Sequence, residues 1–259
     1  MSDKIAVSEA GGVLSLALDD QTTLNALTMP MVETLIAHLQ APKAGVRTVL
    51  LSGRGKAFCS GANLVGGAGT GATGDDAAAP LRTHFDPLIA AIRDLHVPLV
   101  VSVRGPAVGY GAALALAGDI VVASETAFFH QAFGRVGLVA DGGAAFTLVK
   151  SIGRIRATEM MLLGGRITAA KALEWGLVTK VVADATLEDE ARGIAETLAQ
   201  GATLALGRMR QMAWAACSGD LDDAFALEVA NQAAMMNTDD HKRALAAFLA
   251  KEAPRFEGR

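Results

Sequence analysis

The chain has 259 residues, of which 51% are hydrophobic and 19% charged, with a formal net charge of −4 and a pI near 5.7. That length is enough for one large domain, or a domain with an appendage, around a substantial core. No run of about eighteen apolar residues is present to span a bilayer. The acidic balance, with no basic block of about five to eight residues, argues against nucleic acid as a partner.

The opening MSDKIAVSEAGG lacks the apolar core and small-residue cleavage site of a secretory signal, so a cytoplasmic address is the expectation. Cys59 and Cys217 stand far apart, and His38, His84, His96, His130 and His241 lack ligand spacing; neither a disulfide framework nor a metal site is expected.

IAVSE (5–9) and VLSLAL (13–18) flank Gly11-Gly12 and predict a hairpin. After Pro30, Met31, Leu35 and Leu39 recur at helical spacing. VRTVLLS (46–52) and PLVVSV (98–103) are short continuous apolar runs, with a helical stretch near 85–95 between them. They predict buried parallel strands and hence an α/β core. GGAGTGATGDDAAAP (66–80) reads as a loop that shapes the site. Its formal G-x-G-x-x-G match, Gly69 to Gly74, has neither the preceding strand nor the following helix of a dinucleotide fingerprint. From about 187 the pattern is helical only. The chain is therefore divided at 1–186, a sheet-containing core, and 187–259, a helical region that docks on that core or on a neighbouring subunit.

GRGKAFCSGANL (53–64) and GPAVGYGAALALAGDI (105–120) are glycine-rich connections at strand carboxyl ends, where open α/β sheets place ligands. The second opens an apolar helix near Gly109, whose first N–H groups lack intrahelical acceptors. With an amide from the first loop they would form an oxyanion hole. In GLVADGGA (137–144), Asp141 precedes the run AAFTLV and so reads as a helix N-cap; a carboxylate among small and apolar residues is equally a candidate proton carrier. Cys59 reads as a small buried cysteine and Asp119 as structural; Trp175 and Trp214 read as core or interface.

These segments together, LNAL (24–27), GKAFCSGANL (55–64), GPAVGYGAALALAGDI, GLVADGGA, AAKALEWGLVTKVV (169–182) and KEAPRFEGR (251–259), resemble the crotonase, or enoyl-CoA hydratase/isomerase, superfamily over nearly the whole chain. The resemblance implies an α/β spiral of ββα repeats (ClpP-like) with a C-terminal helical region, assembly into homotrimers or dimers of trimers, and acyl-CoA substrates. Coenzyme A then enters as part of the substrate, with no tightly bound cofactor. It puts the oxyanion donors on the Ala62 and Tyr110 amides. Asn25, Ala26, Leu27, Ser60, Ala62, Asn63, Leu64 and Lys251 fall at the coenzyme A portion, and Phe248 and Arg255 near a neighbour's phosphates.

Two departures are visible: Tyr110 stands where the family carries a central glycine, and Ala140 replaces a usual proline. The two glutamates of the family's hydratases fall on Ala113 and Phe133, which cannot exchange a proton. Asp141 matches the acid of epoxyphenylacetyl-CoA isomerases and related enoyl-CoA isomerases, so the resemblance implies double-bond migration with Asp141 as acid and base. Phe133, Leu138 and Val139 are expected to surround it with apolar surface, raising its pKa, against a helix N-terminus at Gly142 that lowers it. The alternatives are a dehalogenase with Asp141 as nucleophile and His84 or His96 as base, another hydrolase, a hydratase, or a non-catalytic acyl-CoA binder.

Overall fold

The computed structural model describes residues 2–63 and 74–259. Strands β1 (Ile5–Ala10) and β2 (Val13–Leu18) form the expected hairpin, with Ala10 opposite Val13 and Gly11 and Gly12 both at positive φ. That backbone matches the twist of paired strands and is open to glycine at little cost. Helix α1 (Met29–Gln40) buries Met31, Val32, Leu35 and Leu39. Strand β3 (Thr48–Gly53) lies parallel to β2.

The stretch 75–80, expected as loop, is helix α2 (Asp75–Pro80). It continues through a π turn (Leu81–Phe85) into α3 (Asp86–Asp94). Pro80 cannot donate an amide hydrogen, and the wider π turn beginning at the next residue accommodates that loss. Most of the glycine-rich match, from Gly69 to Thr73, lies outside the described residues, as does Leu64.

The remaining strands are β4 (Leu99–Val103), β5 (Pro106–Val108), β6 (Ile120–Ser124), β7 (Phe128–His130), β8 (Ile167–Thr168) and β9 (Lys180–Val182). Among the described residues one sheet runs in the order β1-β2-β3-β4-β6-β9 and a smaller one in the order β5-β7-β8. From β2 to β9 the large sheet is parallel. Its strands are continuously apolar because both faces are covered. Leu16, Leu51, Val101 and Ala123 face the main core; Leu50, Val100 and Val122 face the other side.

The intervening helices are α4 (Tyr110–Leu116), α5 (Ala144–Leu163, interrupted at Gly153) and α6 (Ala169–Trp175). Beyond β9 the chain is helical, as expected: α7 (Leu187–Gln200), α8 (Thr203–Ala216), α9 (Leu221–Met236) and α10 (Asp239–Ala250). Leu187, Ala191, Ala195 and Ala199 of α7 supply the cover over Leu50, Val100 and Val122. The change of pattern at residue 187 is therefore not a break in packing, because α7 belongs to the sheet it covers. No helix among the described residues is long and apolar enough to cross a membrane.

Candidate active site

The two glycine-rich connections lie side by side. Cys59 forms a parallel bridge with Ala107, the Phe58 and Cys59 amides donate to the Pro106 carbonyl (3.1 Å each), and the Val108 amide donates to the Cys59 carbonyl (2.9 Å). On the other edge, the Leu27 amide donates to the Gly61 carbonyl (2.8 Å) and the Asn63 amide to the Leu27 carbonyl (2.9 Å). Those bonds bracket Ala62 in a bridge with Leu27, so the Ala62 N–H faces away from Leu27. A Cβ built on Gly61 would lie 3.9 Å from the Tyr110 nitrogen, which fixes how near the first loop comes to the second. Tyr110 is the first residue of α4, so its amide has no acceptor within the helix.

Close approach depends on Gly111. A Cβ there would lie 2.4 Å from the Cys59 carbonyl oxygen. Gly111→Ala is expected to push the connections apart and lower unfolding stability by about 1–3 kcal/mol, the usual range for overpacking, as measured by urea denaturation. Cys59 itself is buried, and burial pushes its thiol up to about 12, so it is packing rather than a nucleophile.

Asp141 does not cap the helix. The N-cap of α5 is Gly143, and the Ala144 amide donates to the main-chain oxygen of Asp141 (3.0 Å), not to its carboxylate. Gly142 (φ +59°) and Gly143 (φ +68°) turn the chain in the left-handed region, which delays the helix and leaves the side chain free. Asp141 Oδ1 is buried without a hydrogen-bond partner among the described residues. Burial first, then the charge of Asp86, push the carboxyl up to about 6, against a small opposing effect of its own backbone amide.

Leu138 and Val139 do not provide the expected apolar surround, being 56% and 86% exposed. The surface next to the carboxylate comes instead from the interior. Gly142 packs on the Tyr110 ring and the Ala113 methyl, where an added Cβ would meet atoms at 2.9 and 3.0 Å. The Phe133 ring lies against Gly109 (3.7 Å from an added Cβ). Ala113 and Phe133, where the resemblance puts the hydratase glutamates, therefore sit beside these loops and carry no titratable group.

Other expected site residues fall differently. Asn25 is fully buried; its Nδ2 donates to the Arg54, Ala57 and Phe58 carbonyls (3.0, 2.8 and 3.2 Å), and its Oδ1 accepts from the Asp20 amide (2.8 Å). Its side chain is a pin that shapes the first loop and is not offered to a ligand. Ala26 and Leu27 are buried, whereas Leu24 is exposed. Ser60 Oγ donates to the Thr23 carbonyl (2.8 Å), and Asn63 is held through its backbone to Leu27. Lys251 ends α10 in the left-handed region (φ +59°) and is exposed, as are Phe248 and Arg255.

His84 contacts Glu33 Oε1 (3.1 Å) and Thr83 (2.8 Å), and His96 is exposed. Sequence reasoning missed Phe85 and Asp86. The Tyr110 hydroxyl donates to the Phe85 carbonyl (2.6 Å), and the Asp86 charge is felt by both Asp141 and Tyr110. Asp86-Pro87 is legible as a helix start, but nothing local says which carboxylate it faces.

Comparison with known proteins agrees with this architecture. The family model described as "Enoyl-CoA hydratase/isomerase" matches residues 8–259. The chain is 36% identical to a Rhodobacter capsulatus protein named "Probable enoyl-CoA hydratase", over 96% of this chain and 95% of the relative. It is 35% identical to the 1,2-epoxyphenylacetyl-CoA isomerase of Escherichia coli, over 96% of each chain. A crystal structure of an enoyl-CoA hydratase from Bacillus anthracis superimposes with a TM-score of 0.93 at 28% identity, covering 99% of this chain and all of that one. The class is thus the crotonase fold, an α/β body with a helical C-terminal region. The chain belongs to the enoyl-CoA hydratase/isomerase family.

Proposed function

We propose that this chain is an acyl-CoA isomerase that moves a double bond within an enoyl thioester, with the Ala62 and Tyr110 amides on the thioester oxygen and Asp141 as the single acid and base. The observation that carries the reading is the buried, unpartnered Oδ1 of Asp141 beside positions that hold no other proton carrier, Ala113 and Phe133. Hydration needs groups to position and activate a water. Migration needs one base that serves two carbons.

In the proposed cycle the Asp141 carboxylate takes a proton from the saturated carbon next to the thioester carbonyl or, in the opposite direction, from the allylic carbon two positions further along. The C–H electron pair shifts into the acyl system, and the carbonyl oxygen becomes an oxyanion that accepts hydrogen bonds from the two amides. The protonated acid then returns the same proton to a different carbon, and the electron pair flows back to re-form the carbonyl. Proton and electrons balance with no further reactant, and coenzyme A takes part only as the thioester handle. Relatives named as isomerase and as hydratase both occur at similar identity, so the choice rests on the side chains present.

Product identity tests the reading. Incubation with 2-enoyl- and 3-enoyl-CoA, followed by NMR, is expected to show interconversion of the two double-bond isomers; accumulation of 3-hydroxyacyl-CoA instead would overturn it. The base must be ionised, and its pKa lies at about 6. We therefore expect kcat/KM to be flat above about pH 7 and to fall tenfold per pH unit well below pH 6. Assembly into trimers or dimers of trimers is part of the same reading, and exposed Val229, Phe248 and Leu249 on α9 and α10 support it, since such surface calls for a cover.

A further inference from the structure

The face of the large sheet that lies under α7 changes character along its strands. Val13, Leu50 and Val100 are apolar and pack against Leu187, Ala191 and Ala195 of α7. Two residues further along each strand, hence on the same face, stand Ser15, Ser52 and Ser102. Ser52 pairs directly with Ser102 on β4, and Ser15 with Ser8 on β1. A hydroxyl taken out of water is costly unless it finds a partner. None of these four hydroxyls has a hydrogen-bond partner among the described residues, although Ser102 is only 4% exposed.

The four serines line a cleft of about 300 Å³ between this face and the first turns of α7, a volume at the small end of ligand sites. Arg54 and Arg104, each two residues beyond one of the paired serines, and Arg192 of α7 complete its polar lining. Glu188 is the one acid among the described lining residues, and Arg104 Nη1 holds it at 3.3 Å. Each guanidinium carries five N–H donors, and few of them are taken. Arg54 Nη1 donates to Asp19 Oδ2 (2.7 Å). Arg104 Nη2 donates to the Asp184 carbonyl (2.9 Å), whereas its Nε is buried without a hydrogen bond, 3.3 Å from Asp184 Oδ2. The Arg192 guanidinium has no ion pair or hydrogen bond among the described residues. Ala62, Tyr110 and Asp141 are absent from the lining, so the cleft is apart from the candidate active site.

We propose that this cleft is a second binding site, which takes the phosphate group of a small phosphate monoester. A tetrahedral oxyanion accepts hydrogen bonds from several directions at once. Here hydroxyls would donate from the sheet and guanidinium groups from the edges, and bonds to an ionised acceptor are the strong ones. The volume leaves room for a small organic group beside the phosphate. The site is independent of the isomerase reading.

Calorimetric titration of the full chain with glycerol phosphate in a phosphate-free buffer tests it. Saturable binding is expected, displaced by inorganic phosphate and not by glycerol. Ser102→Ala removes a donor to a charged acceptor and should weaken binding about tenfold or more. Ser52→Ala gives the same reading if that variant does not fold. Arg192→Gln, at an exposed position on α7, should weaken binding as well. Butyryl-CoA should bind these variants as it binds the wild type. Absence of saturable glycerol phosphate binding, or an affinity unmoved in the folded variants, would overturn the assignment. So would a parallel loss of butyryl-CoA affinity, because the cleft would then belong to the coenzyme A site. Failure of butyryl-CoA to bind the wild type would instead overturn the acyl-CoA reading.

Discussion

Asp141→Asn is expected to lower isomerase turnover by about 10²–10⁴-fold, the usual contribution of a positioned acid–base group, while making the protein more stable at pH 8 than the wild type. Loss of activity follows because the amide is isosteric but cannot take a proton at neutral pH. The gain in stability follows from the direction of the pKa shift. In the folded chain the carboxyl holds its proton up to about 6, whereas an unfolded aspartate releases it near ~3.9. Folding thus takes up a proton between these values. The stability associated with that proton is complete below about pH 4 and is lost as pH rises through about 6. Above that, the wild type holds an ionised carboxylate with a buried, unpartnered oxygen. Asparagine carries no such charge, and Gly143 rather than Asp141 caps the helix, so no cap is lost. Thermal melts at pH 4 and pH 8 check this: the variant's advantage should be larger at pH 8. A variant relatively less stable at pH 8 than at pH 4, or one with unchanged turnover, would contradict the role assigned to Asp141.

Arg210→Met is expected to destabilise the fold by about 3–5 kcal/mol, the range for breaking a buried ion pair by removing one partner. Arg210 on α8 is buried. Its Nε donates to Asp119 Oδ2 (2.8 Å), and its other guanidinium nitrogens donate to the carbonyls of Ile92 (2.8 Å), Arg93 (3.0 Å) and Leu95. Ile92 and Arg93 lie in the last turn of α3, where carbonyls lack the usual helical partner, although the Ile92 carbonyl also accepts the Leu95 amide (3.3 Å). Asp119 also accepts from the Leu99 amide (2.7 Å) at the start of β4. One side chain therefore ties the helical region to α3 and to the sheet that positions the second glycine-rich connection. Methionine keeps much of the apolar stem but leaves the Asp119 carboxylate without its counter-charge and the Arg93 and Leu95 carbonyls without the guanidinium donor. Urea denaturation provides the value; a loss below about 1 kcal/mol, typical of a surface pair, would contradict it.

These two residues also mark where the sequence is legible and where it is not. The parallel strands around Leu50 and Val101 are readable because a strand covered on both faces must be apolar throughout. The helices after residue 187 are readable from their periodicity and length. Strands β5, β7 and β8, at two or three residues each, are too short to carry a pattern. Helix α2 is hidden because Gly, Asp, Ala and Pro in 66–80 have loop-like composition, and the π turn after Pro80 depends on packing.

Within the site, the expectation of one amide from each loop follows from glycine-rich connections at strand ends, while only the family resemblance assigns them to Ala62 and Tyr110. The function of Asn25 follows from neither, since a side chain that binds carbonyls in residues 54–58 looks locally like any polar residue. Asp141 is misread as a cap for a specific reason: two successive left-handed glycines move the helix start beyond the reach of a rule built on sequence adjacency. Arg210 and Asp119, 91 residues apart, find each other only through the fold.

A crystal structure with an unreactive acyl-CoA bound would show directly whether the amides and Asp141 act together. The thioester oxygen is expected at about 2.7–3.1 Å from both the Ala62 and Tyr110 nitrogens. An Asp141 carboxylate oxygen is expected at about 3–3.5 Å from a carbon of the acyl chain. An oxygen bound away from that pair of amides, or a carboxylate turned from the acyl carbons, would contradict their joint action.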